Sequence, residues 1–303
     1  MEAIRSMIST PRTRILLVLG AIFIIFVVHR STSSTWKSLS PHKDDYGLIG
    51  DQFIQPPNFD MVVSHYEEPY DVMADTIEQI KSRLPSSSSI RVTIYHKGSR
   101  TGSELEELSN IADRVIKLDN IGREGETYLR HIVRHYDNAE SDMADHTIFL
   151  QPHLAWDWVL LPRVSIIKPN TGFLSLGPYI NMTRGVDVHG NSFPRINDIY
   201  SAFRGDFSPP YSILATWAGQ FVVSRERILS NQLHLYTNLL AKFHAPPEHW
   251  IWTEGWHNNE PSNPTLGHAL ERSWPLIFGC EDAKMAETCG EGHGPTCTCF
   301  DTV

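Results

Sequence analysis

The sequence has no Asp-x-Asp triplet anywhere in its 303 residues. A pair of carboxylates at a strand end often holds a divalent metal in α/β enzymes, because hard cations such as Mg²⁺ prefer oxygen ligands. The absence of this pair argues against a required divalent metal. The chain also lacks an internal repeat, which excludes solenoid and propeller architectures.

Positive charge is scarce as well. The chain has 26 lysine and arginine residues against 35 aspartate and glutamate residues, and its formal net charge is −9. Binding to phosphate backbones needs a basic face, so nucleic acid is excluded as the main partner. The hydrophobic fraction of 41% is enough for a buried core. The length fits one large domain or two small ones.

One unbroken apolar run, ILLVLGAIFIIFVV, covers residues 15–28. Arg5, Arg12 and Arg14 precede it, and no small-x-small cleavage site follows closely. An uncleaved signal anchor over residues 15–30 is therefore favoured over a cleaved signal peptide. The positive-inside rule places residues 1–14 in the cytosol and the rest of the chain in the lumen. The predicted location is a single-pass type II membrane protein that faces the lumen of the endoplasmic reticulum or Golgi.

Three further segments are predicted after this anchor. Residues 31–58 are rich in serine, proline and charge, which is typical of a stem that holds a folded body off the membrane. Residues 59–279 form that body, and residues 280–303 form a cysteine-rich tail. Asn181 opens an Asn-Met-Thr sequon for N-glycosylation within the body.

All four cysteines lie in the tail, at Cys280, Cys289, Cys297 and Cys299. An even number of cysteines on the oxidising side of a membrane predicts two disulfides, although the sequence leaves their pairing open. The rival interpretation is a zinc site that uses these cysteines together with His293.

The body shows alternating strand and helix patterns. Short β-branched runs at residues 61–66, 90–95, 114–118 and 146–150 are separated by segments with helical periodicity. This alternation predicts an α/β fold, with a mostly parallel sheet, flanking helices and a Rossmann-like single domain. Ligands of such sheets bind beyond the carboxyl ends of the strands.

The turn before the helix at residues 123–136 is the first candidate ligand site. Gly122 permits a tight turn, and the free N–H groups of the helix that follows attract anions. Arg123 can grip a phosphate with two hydrogen bonds, Asn120 can contact a base or ribose, and Glu124 completes the motif. The competing interpretation is that Asn120 only caps the helix and Arg123 pairs with an acid. His131 and His135, spaced as i and i+4, are expected at the surface or the helix end.

Polar residues after the other strands are further candidates. Lys97 follows the second strand, and Gln151 and His153 follow the fourth. The latter two can contact a ligand or merely satisfy nearby backbone groups.

A tryptophan-rich loop at residues 248–260 places Trp256 beside Glu254. Aromatic rings stack on the apolar faces of sugars, and a carboxylate can deprotonate an acceptor hydroxyl. The competing interpretation is a hydrophobic plug over the sheet with solvated acids. Glu271, in a later helix, is a second candidate base, or else a partner in a buried ion pair.

Several motifs together resemble an uncharacterised, mainly fungal family of membrane-anchored proteins. The motifs are N-x-G-R-E-x-x-T-Y-L-x-H-I, F-L-Q, G-x-F-x-V-S-R-E-R-I and L-E-R-x-W-x-x-I-F-G, and they lie between residues 120 and 279. The resemblance covers most of the body, but it does not imply an activity.

The order of these motifs also has a distant similarity to glycosyltransferases of the GT-A fold. That similarity implies that Asn120 and Arg123 face a nucleotide diphosphate and that Glu254 or Glu271 acts as base. It puts Gln151 and His153 where metal-binding acids belong, so manganese-dependent chemistry is in doubt. A metal-independent site would use Arg123 and Lys97 to neutralise the leaving diphosphate.

The sequence therefore supports a lumenal, glycosyltransferase-like enzyme that uses a nucleotide-sugar donor and a glycan acceptor. The alternative is a non-catalytic, membrane-anchored domain that binds a glycan or a protein. A hydrolase with two paired carboxylates is a third, weaker option.

Overall fold

A computed structural model describes residues 56–193, 195–255 and 259–302 of the chain. The predicted cytosolic tail and anchor, and all but the end of the predicted stem, lie outside these ranges. Within the described ranges, no helix is long and apolar enough to cross a membrane.

The body is built on a seven-stranded mixed sheet in the order β3-β2-β1-β4-β8-β5-β9, and β6 and β7 form a separate hairpin. Strands β1 to β4 are mutually parallel, β8 is antiparallel to both β4 and β5, and β9 is antiparallel to β5. The prediction of a mostly parallel sheet is confirmed. The strands are β1 Phe59–His65, β2 Ile90–His96, β3 Arg114–Lys117, β4 His146–Leu150, β5 Thr171–Ser175, β6 Tyr179–Thr183, β7 Ser212–Thr216, β8 Phe221–Ser224 and β9 Cys299–Phe300.

Helices connect and flank these strands. Crossovers between parallel strands are right-handed, so the helix between β1 and β2 lies on one face of the sheet and the helix between β3 and β4 on the other. The helices are α1 Tyr70–Lys81, α2 Ser103–Glu107, α3 Arg123–His135, α4 Ala139–Asp142, α5 Asp157–Val164, α6 Arg195–Arg204, α7 Arg225–Leu229, α8 Leu233–Phe243, α9 Trp250–Thr253, α10 Thr265–Ile277 and α11 Met285–Thr288.

Strand β1 is the centre of the core, since all seven of its residues are buried. Continuous burial is typical of a parallel strand covered on both faces. Its Ser64 hydroxyl bonds the Thr127 hydroxyl of α3 at 3.0 Å, which fixes the start of α3 over the carboxyl end of the strand. Trp274 of α10 packs fully buried against Tyr128 of α3 and Phe221 of β8.

Two expectations about helices were wrong. The pattern at residues 225–243 predicts one helix, but α7 and α8 are separate, because buried Asn231 donates hydrogen bonds to Tyr236 and to the Ile277 carbonyl. His131 is buried within α3 rather than at the surface, whereas His135 lies at the end of α3 as expected and is buried there. They lie in a polar network in which His131 bonds the Tyr95 hydroxyl and His135 bonds Asp142.

The cysteine-rich tail contains two nested disulfides, Cys280–Cys299 and Cys289–Cys297. The prediction of disulfides is confirmed and the zinc alternative is wrong. The outer bond brings Cys299 to the sheet, where β9 pairs with β5. The tail is therefore joined to the edge of the body's own sheet.

The predicted glycosylation residue Asn181 lies in β6, paired opposite Leu214 of β7. Its side-chain oxygen is buried without a hydrogen-bond partner among the described residues. Glycosylation of this strand residue stays a prediction.

Candidate functional site

The sheet has a topological switch between β1 and β4. The chain builds β2 and β3 on one side of β1 and then returns to add β4 on the other side. Open α/β sheets bind ligands in the crevice beyond the carboxyl ends at such a point. Here those ends are His65 and Leu150, and α3 begins at the same edge.

The turn into α3 is tight and left-handed. Gly122 has a φ of 71°, and a Cβ there would lie 2.5 Å from the Glu126 Cβ and 2.8 Å from the Phe243 ring, so only glycine fits. Arg123 also has a positive φ, of 55°, which is costly for a residue with a side chain. The Gly122 N–H donates to the Pro261 carbonyl at 2.7 Å, so the loop before α10 covers this turn.

Lys97, directly after β2, holds the turn before α3 in position. Its buried ammonium group donates to the carbonyls of Ile121 and Arg123 and lies 2.8 Å from the Glu126 carboxylate. An ammonium group has three protons, so these three acceptors account for all of them. Burial raises the pKa of Glu126, but Lys97, His244 and Arg130 outweigh that effect and hold the pKa at about 2. Lys97 thus joins β2 to the start of α3.

The Arg123 side chain points into a polar cluster. Its guanidinium lies 3.2 Å from the Asn263 side-chain oxygen, 3.3 Å from His268 Nε2 and 3.4 Å from the Glu271 carboxylate. Its Nε lies 3.5 Å from the Glu124 carboxylate. These separations are long for charge-assisted hydrogen bonds, whose usual length is about 2.7–2.9 Å.

The carboxyl group of Glu271 has a pKa above its ordinary value. Burial raises its pKa, the nearby Glu124 carboxylate raises it further, and the guanidinium groups of Arg272 and Arg123 only partly offset both effects. A backbone hydrogen bond from Ala218 also favours the ionised form. A buried carboxyl group with a raised pKa beside specific charged partners is a candidate acid or base.

A proline positions Glu271 through its backbone. Pro275 lies one helical turn later in α10 and has no N–H, so it leaves the Glu271 carbonyl without its helical hydrogen bond. The Thr216 hydroxyl of β7 donates to that carbonyl at 3.1 Å instead. A proline usually distorts or ends a helix, yet α10 continues to Ile277 with this replacement partner.

Arg272 extends the cluster toward the loop after β6. It lies 3.7 Å from Glu271 and 3.8 Å from Asp187, and its guanidinium stacks on the Phe193 ring at 4.0 Å. Burial tends to raise the pKa of Asp187, but hydrogen bonds from Asn191 and His189 and the charge of Arg272 lower it overall. Asp187 is therefore an ionised anchor for Arg272.

The neighbouring histidines are neutral. Burial and the charges of Arg123 and Arg272 lower the pKa of His268 to about 3. At the ends of β1 and β2, His65 and His96 share a hydrogen bond of 2.9 Å between their Nδ1 atoms. Burial and the charge of Lys117 lower the pKa of His96 to about 4.

Three of the four non-glycine residues with positive φ in the described ranges lie at this edge, and the fourth is Arg184, directly after β6. Arg123, Trp156 and Ala218 have φ values of 55°, 59° and 58°, and each lies next to the carboxyl end of the sheet or on a loop that covers it. Such conformations cost about 1–3 kcal/mol each and cluster at functional sites. Gly219 follows, where a Cβ would lie 2.9 Å from a Glu124 carboxylate oxygen. The backbone thus approaches the carboxylates closely.

Aromatic rings continue from Ala218 to the surface. Trp217 stacks on His189, with ring centroids 4.6 Å apart, and on Trp156 at 5.9 Å. Trp156 in turn contacts Trp158 at 5.1 Å. The site therefore has a charged part around Glu271 and an aromatic part around Trp217.

The structure places the residues predicted from the sequence in different surroundings. Arg123, Glu124 and Glu271 meet in the cluster. Lys97 instead holds the backbone of the turn before α3. Asn120, Gln151 and His153 lie at the same edge, with no side-chain hydrogen bond to any other described residue. Glu254 is exposed and pairs with Arg195 of α6. Trp256 lies outside the described residues.

Sequence reasoning missed four residues of this site: Asp187, Trp217, Ala218 and the role of Arg272. Asp187 begins an Asp-x-His-Gly stretch in which its carboxylate accepts hydrogen bonds from two following N–H groups. The residue types of this stretch are typical of a turn, so the turn could have been predicted from the sequence. The left-handed Ala218 has no sequence signal, because alanine rarely adopts that conformation.

The residues at this edge do not fit a manganese ion. The end of β4 provides Gln151 and His153 rather than carboxylates, and no three histidine, cysteine, aspartate or glutamate side chains in the described ranges are grouped as metal ligands. The cations of the site are guanidinium groups.

Comparisons with known proteins place few constraints on the chain. No protein-family model matches it, and no curated protein matches it. Among solved structures it is similar to glucosyl-3-phosphoglycerate synthase from Mycobacterium tuberculosis in complex with uridine-diphosphate, with 15% identity and a TM-score of 0.31. The match covers 61% of this chain and 64% of the synthase chain, which is less than two thirds of it.

A second structure of that synthase, with Mn²⁺, uridine-diphosphate and glucosyl-3-phosphoglycerate, matches over the same shares with a TM-score of 0.30.

Proposed function

We propose that the chain is a glycosyltransferase-like enzyme of GT-A type that transfers a sugar from a nucleotide-sugar donor to a hydroxyl acceptor. The proposal includes the location predicted from the sequence, on the lumenal side of the early secretory membranes behind an N-terminal anchor. It also includes membership of the uncharacterised, mainly fungal family whose motifs the sequence shares.

One observation carries the proposal: Glu271 lies between Arg123 and Arg272 at the carboxyl edge beside the topological switch. Sugar transfer from a nucleoside diphosphate needs a base for the acceptor and positive charge for the leaving group. A buried carboxyl group with a raised pKa and two guanidinium groups provide both in one cluster.

In the proposed reaction, the acceptor hydroxyl oxygen attacks the anomeric carbon of the donor sugar. Its proton passes to the Glu271 carboxylate, and the bond between the sugar and the nucleoside diphosphate breaks. Arg123 and Arg272 stabilise the negative charge that develops on the departing phosphate. Lys97 takes no direct part, because its three protons hold the turn before α3.

Binding of nucleoside diphosphates tests the donor site. UDP, GDP and ADP are titrated into the purified full-length chain by calorimetry. At least one should bind, and Arg123→Ala should weaken it by about ten- to a hundredfold, the loss expected for a charge-assisted contact of about 1.5–3 kcal/mol.

Arg134→Ala is the matched control, since Arg134 is an exposed arginine on the same helix. Its binding should equal that of the wild type. No binding by any of the three nucleotides, or equal binding by Arg123→Ala, would contradict the proposal.

A second candidate is a non-catalytic domain that binds a glycan or a protein. The observation that favours it is internal pairing, since Arg123 and Arg272 face Glu271, Glu124 and Asp187 of the same chain. Under that alternative the cluster only holds α3 and α10 together, and a glycan binds while no nucleotide does.

A further inference from the structure

Trp158 is exposed yet held in one position. The residue is 58% exposed, although a large apolar side chain is normally buried. Its indole N–H donates to a Glu291 carboxylate oxygen at 3.0 Å, and its ring contacts the Trp156 ring at 5.1 Å. A surface indole fixed from two sides has little conformational entropy left to lose when a ligand binds.

Glu291 is fixed by a covalent loop. It lies between Cys289 and Cys297, whose disulfide closes the loop. Buried Arg163 donates to the carbonyls on both sides of Glu291, to Gly290 at 2.6 Å and to Gly292 at 2.8 Å. The carboxylate that orients Trp158 is therefore held by a disulfide and a guanidinium group.

The same Arg163 connects this loop to the candidate site. It also donates to Cys289 Sγ at 3.1 Å and to the carbonyls of Ser175, the last residue of β5, and Gly177 just after it. A Cβ on Gly177 would lie 2.0 Å from the Trp217 carbonyl oxygen, so this segment packs directly against Trp217. Trp158 and Arg163 both belong to α5, which makes the helix and the loop one unit.

We infer that Trp158 and Glu291 form a carbohydrate-binding subsite for the acceptor, at the outer end of the aromatic rings that begin at Trp217. The inference deepens the proposed function, on which the role as acceptor site rests.

The chemistry of the pair favours a sugar over an apolar peptide. A pyranose has an apolar C–H face that stacks on an indole and a rim of hydroxyl groups that donate to carboxylates. Glu291 is an exposed residue that bonds the indole through one carboxylate oxygen, which leaves its second oxygen as an acceptor for a sugar hydroxyl. An apolar peptide side chain would leave that carboxylate without a partner.

The inner rings are less exposed than Trp158, which sets the direction of the acceptor. Trp217 is half-buried and stacks on both His189 and Trp156, so part of its ring surface is already occupied. A sugar therefore stacks at the exposed Trp158 end, and the reacting end of the acceptor extends along the rings toward Glu271.

Fluorescence titration of the purified full-length chain tests the subsite with cellotriose, mannotriose and N,N′,N″-triacetylchitotriose. At least one trisaccharide should change the tryptophan emission on binding. Trp158→Ala should weaken that binding by about tenfold or more, which corresponds to the loss of one aromatic contact. Phe207→Ala is the matched control, since Phe207 is an aromatic residue that is 88% exposed elsewhere, and its binding should be unchanged.

Three variants separate the positioning of Trp158 by Glu291 from the contact between Trp158 and the sugar. Glu291→Ala removes an exposed side chain and should weaken trisaccharide binding without loss of folding, whereas Glu291→Gln retains an acceptor for the indole N–H and should lose less. The double variant Cys289→Ser with Cys297→Ser should weaken trisaccharide binding to a similar degree as Glu291→Ala.

Nucleotide titrations of the same variants keep the two hypotheses distinguishable. UDP binding should be the same in Trp158→Ala and in the wild type. If a nucleotide binds but no trisaccharide does, or if Trp158→Ala binds trisaccharides as the wild type does, the subsite is overturned. If trisaccharides bind at Trp158 and no nucleotide binds anywhere, the subsite stands and the donor site of the proposed function fails.

Discussion

Two arginine–carboxylate clusters lie at opposite edges of the same sheet. At the amino edge, Arg91 of β2 grips Asp60 of β1 with two hydrogen bonds of 2.5 and 2.6 Å, and both side chains are fully buried. At the carboxyl edge, Arg123 and Arg272 lie 3.4 and 3.7 Å from Glu271. Both clusters pair guanidinium with carboxylate, but only the first has close bidentate geometry.

The difference indicates what each cluster does. Close bidentate pairs satisfy both charges, so the amino-edge cluster is structural, and Asp142 completes it at 3.1 Å from Arg91. The carboxyl-edge cluster has long separations, a raised carboxyl pKa and left-handed backbone at Arg123 and Ala218. Under the proposed function, this imperfect pairing leaves charge available for a ligand.

The largest effect is expected from breaking the amino-edge pair. Asp60→Ala leaves the buried Arg91 guanidinium without its main partner, which should lower the free energy of unfolding by about 3–5 kcal/mol. Urea denaturation monitored by tryptophan fluorescence measures the change. Glu271→Gln is the comparison variant and should show no such loss, because the carboxyl pKa of Glu271 is raised and the ionised form is not favoured in the fold. Equal losses would show that the two clusters have the same role.

A pH series sharpens the same comparison. Because the pKa of Glu271 is raised above its ordinary value of 4.5, the folded state binds the proton more tightly than the unfolded state does. Stability from this group is therefore present at low pH and falls as pH rises from about 4.5 through the folded pKa.

The variant Glu271→Gln lacks this titration. Its unfolding free energy should match that of the wild type near pH 4 and exceed it increasingly toward pH 7, in urea titrations at each pH. A difference that stays constant with pH would contradict the raised pKa.

The smallest effect is expected from relieving backbone strain. Ala218 has a φ of 58°, where glycine is favoured over alanine. Ala218→Gly should raise the free energy of unfolding by up to about 1 kcal/mol. The relief of backbone strain should outweigh the greater conformational entropy that glycine gives the unfolded chain. Ala215→Gly, in the regular strand β7, should instead lower it. If Ala218→Gly also destabilises the chain, the left-handed conformation carries no strain.

Local patterns of the sequence predict much of the fold and about half of the site. Strand β1 is readable because a continuous apolar run has few alternatives, and the turn at Gly122 is readable because glycine is followed by a helix. Arg123, Glu124 and Glu271 are recognised from their residue types beside those elements.

The rest depends on contacts distant in sequence. Arg272 meets Asp187 only because the hairpin of β6 and β7 packs on α10, and Trp217 meets Trp156 only across the sheet edge. Glu254 has the right chemistry for a base, yet its loop pairs it with Arg195. Residue type alone does not distinguish these outcomes, because the deciding partners lie far away along the chain.

The chemical reactivity of Lys97 reports on the contact between β2 and the start of α3. An amine reacts with acylating reagents only when it is deprotonated and reachable, and the Lys97 ammonium is buried and donates all three protons to Ile121, Arg123 and Glu126. Its modification therefore requires this contact to open locally. The rate of acylation at Lys97, compared with the rate at exposed Lys168, measures how often the turn before α3 separates from the sheet.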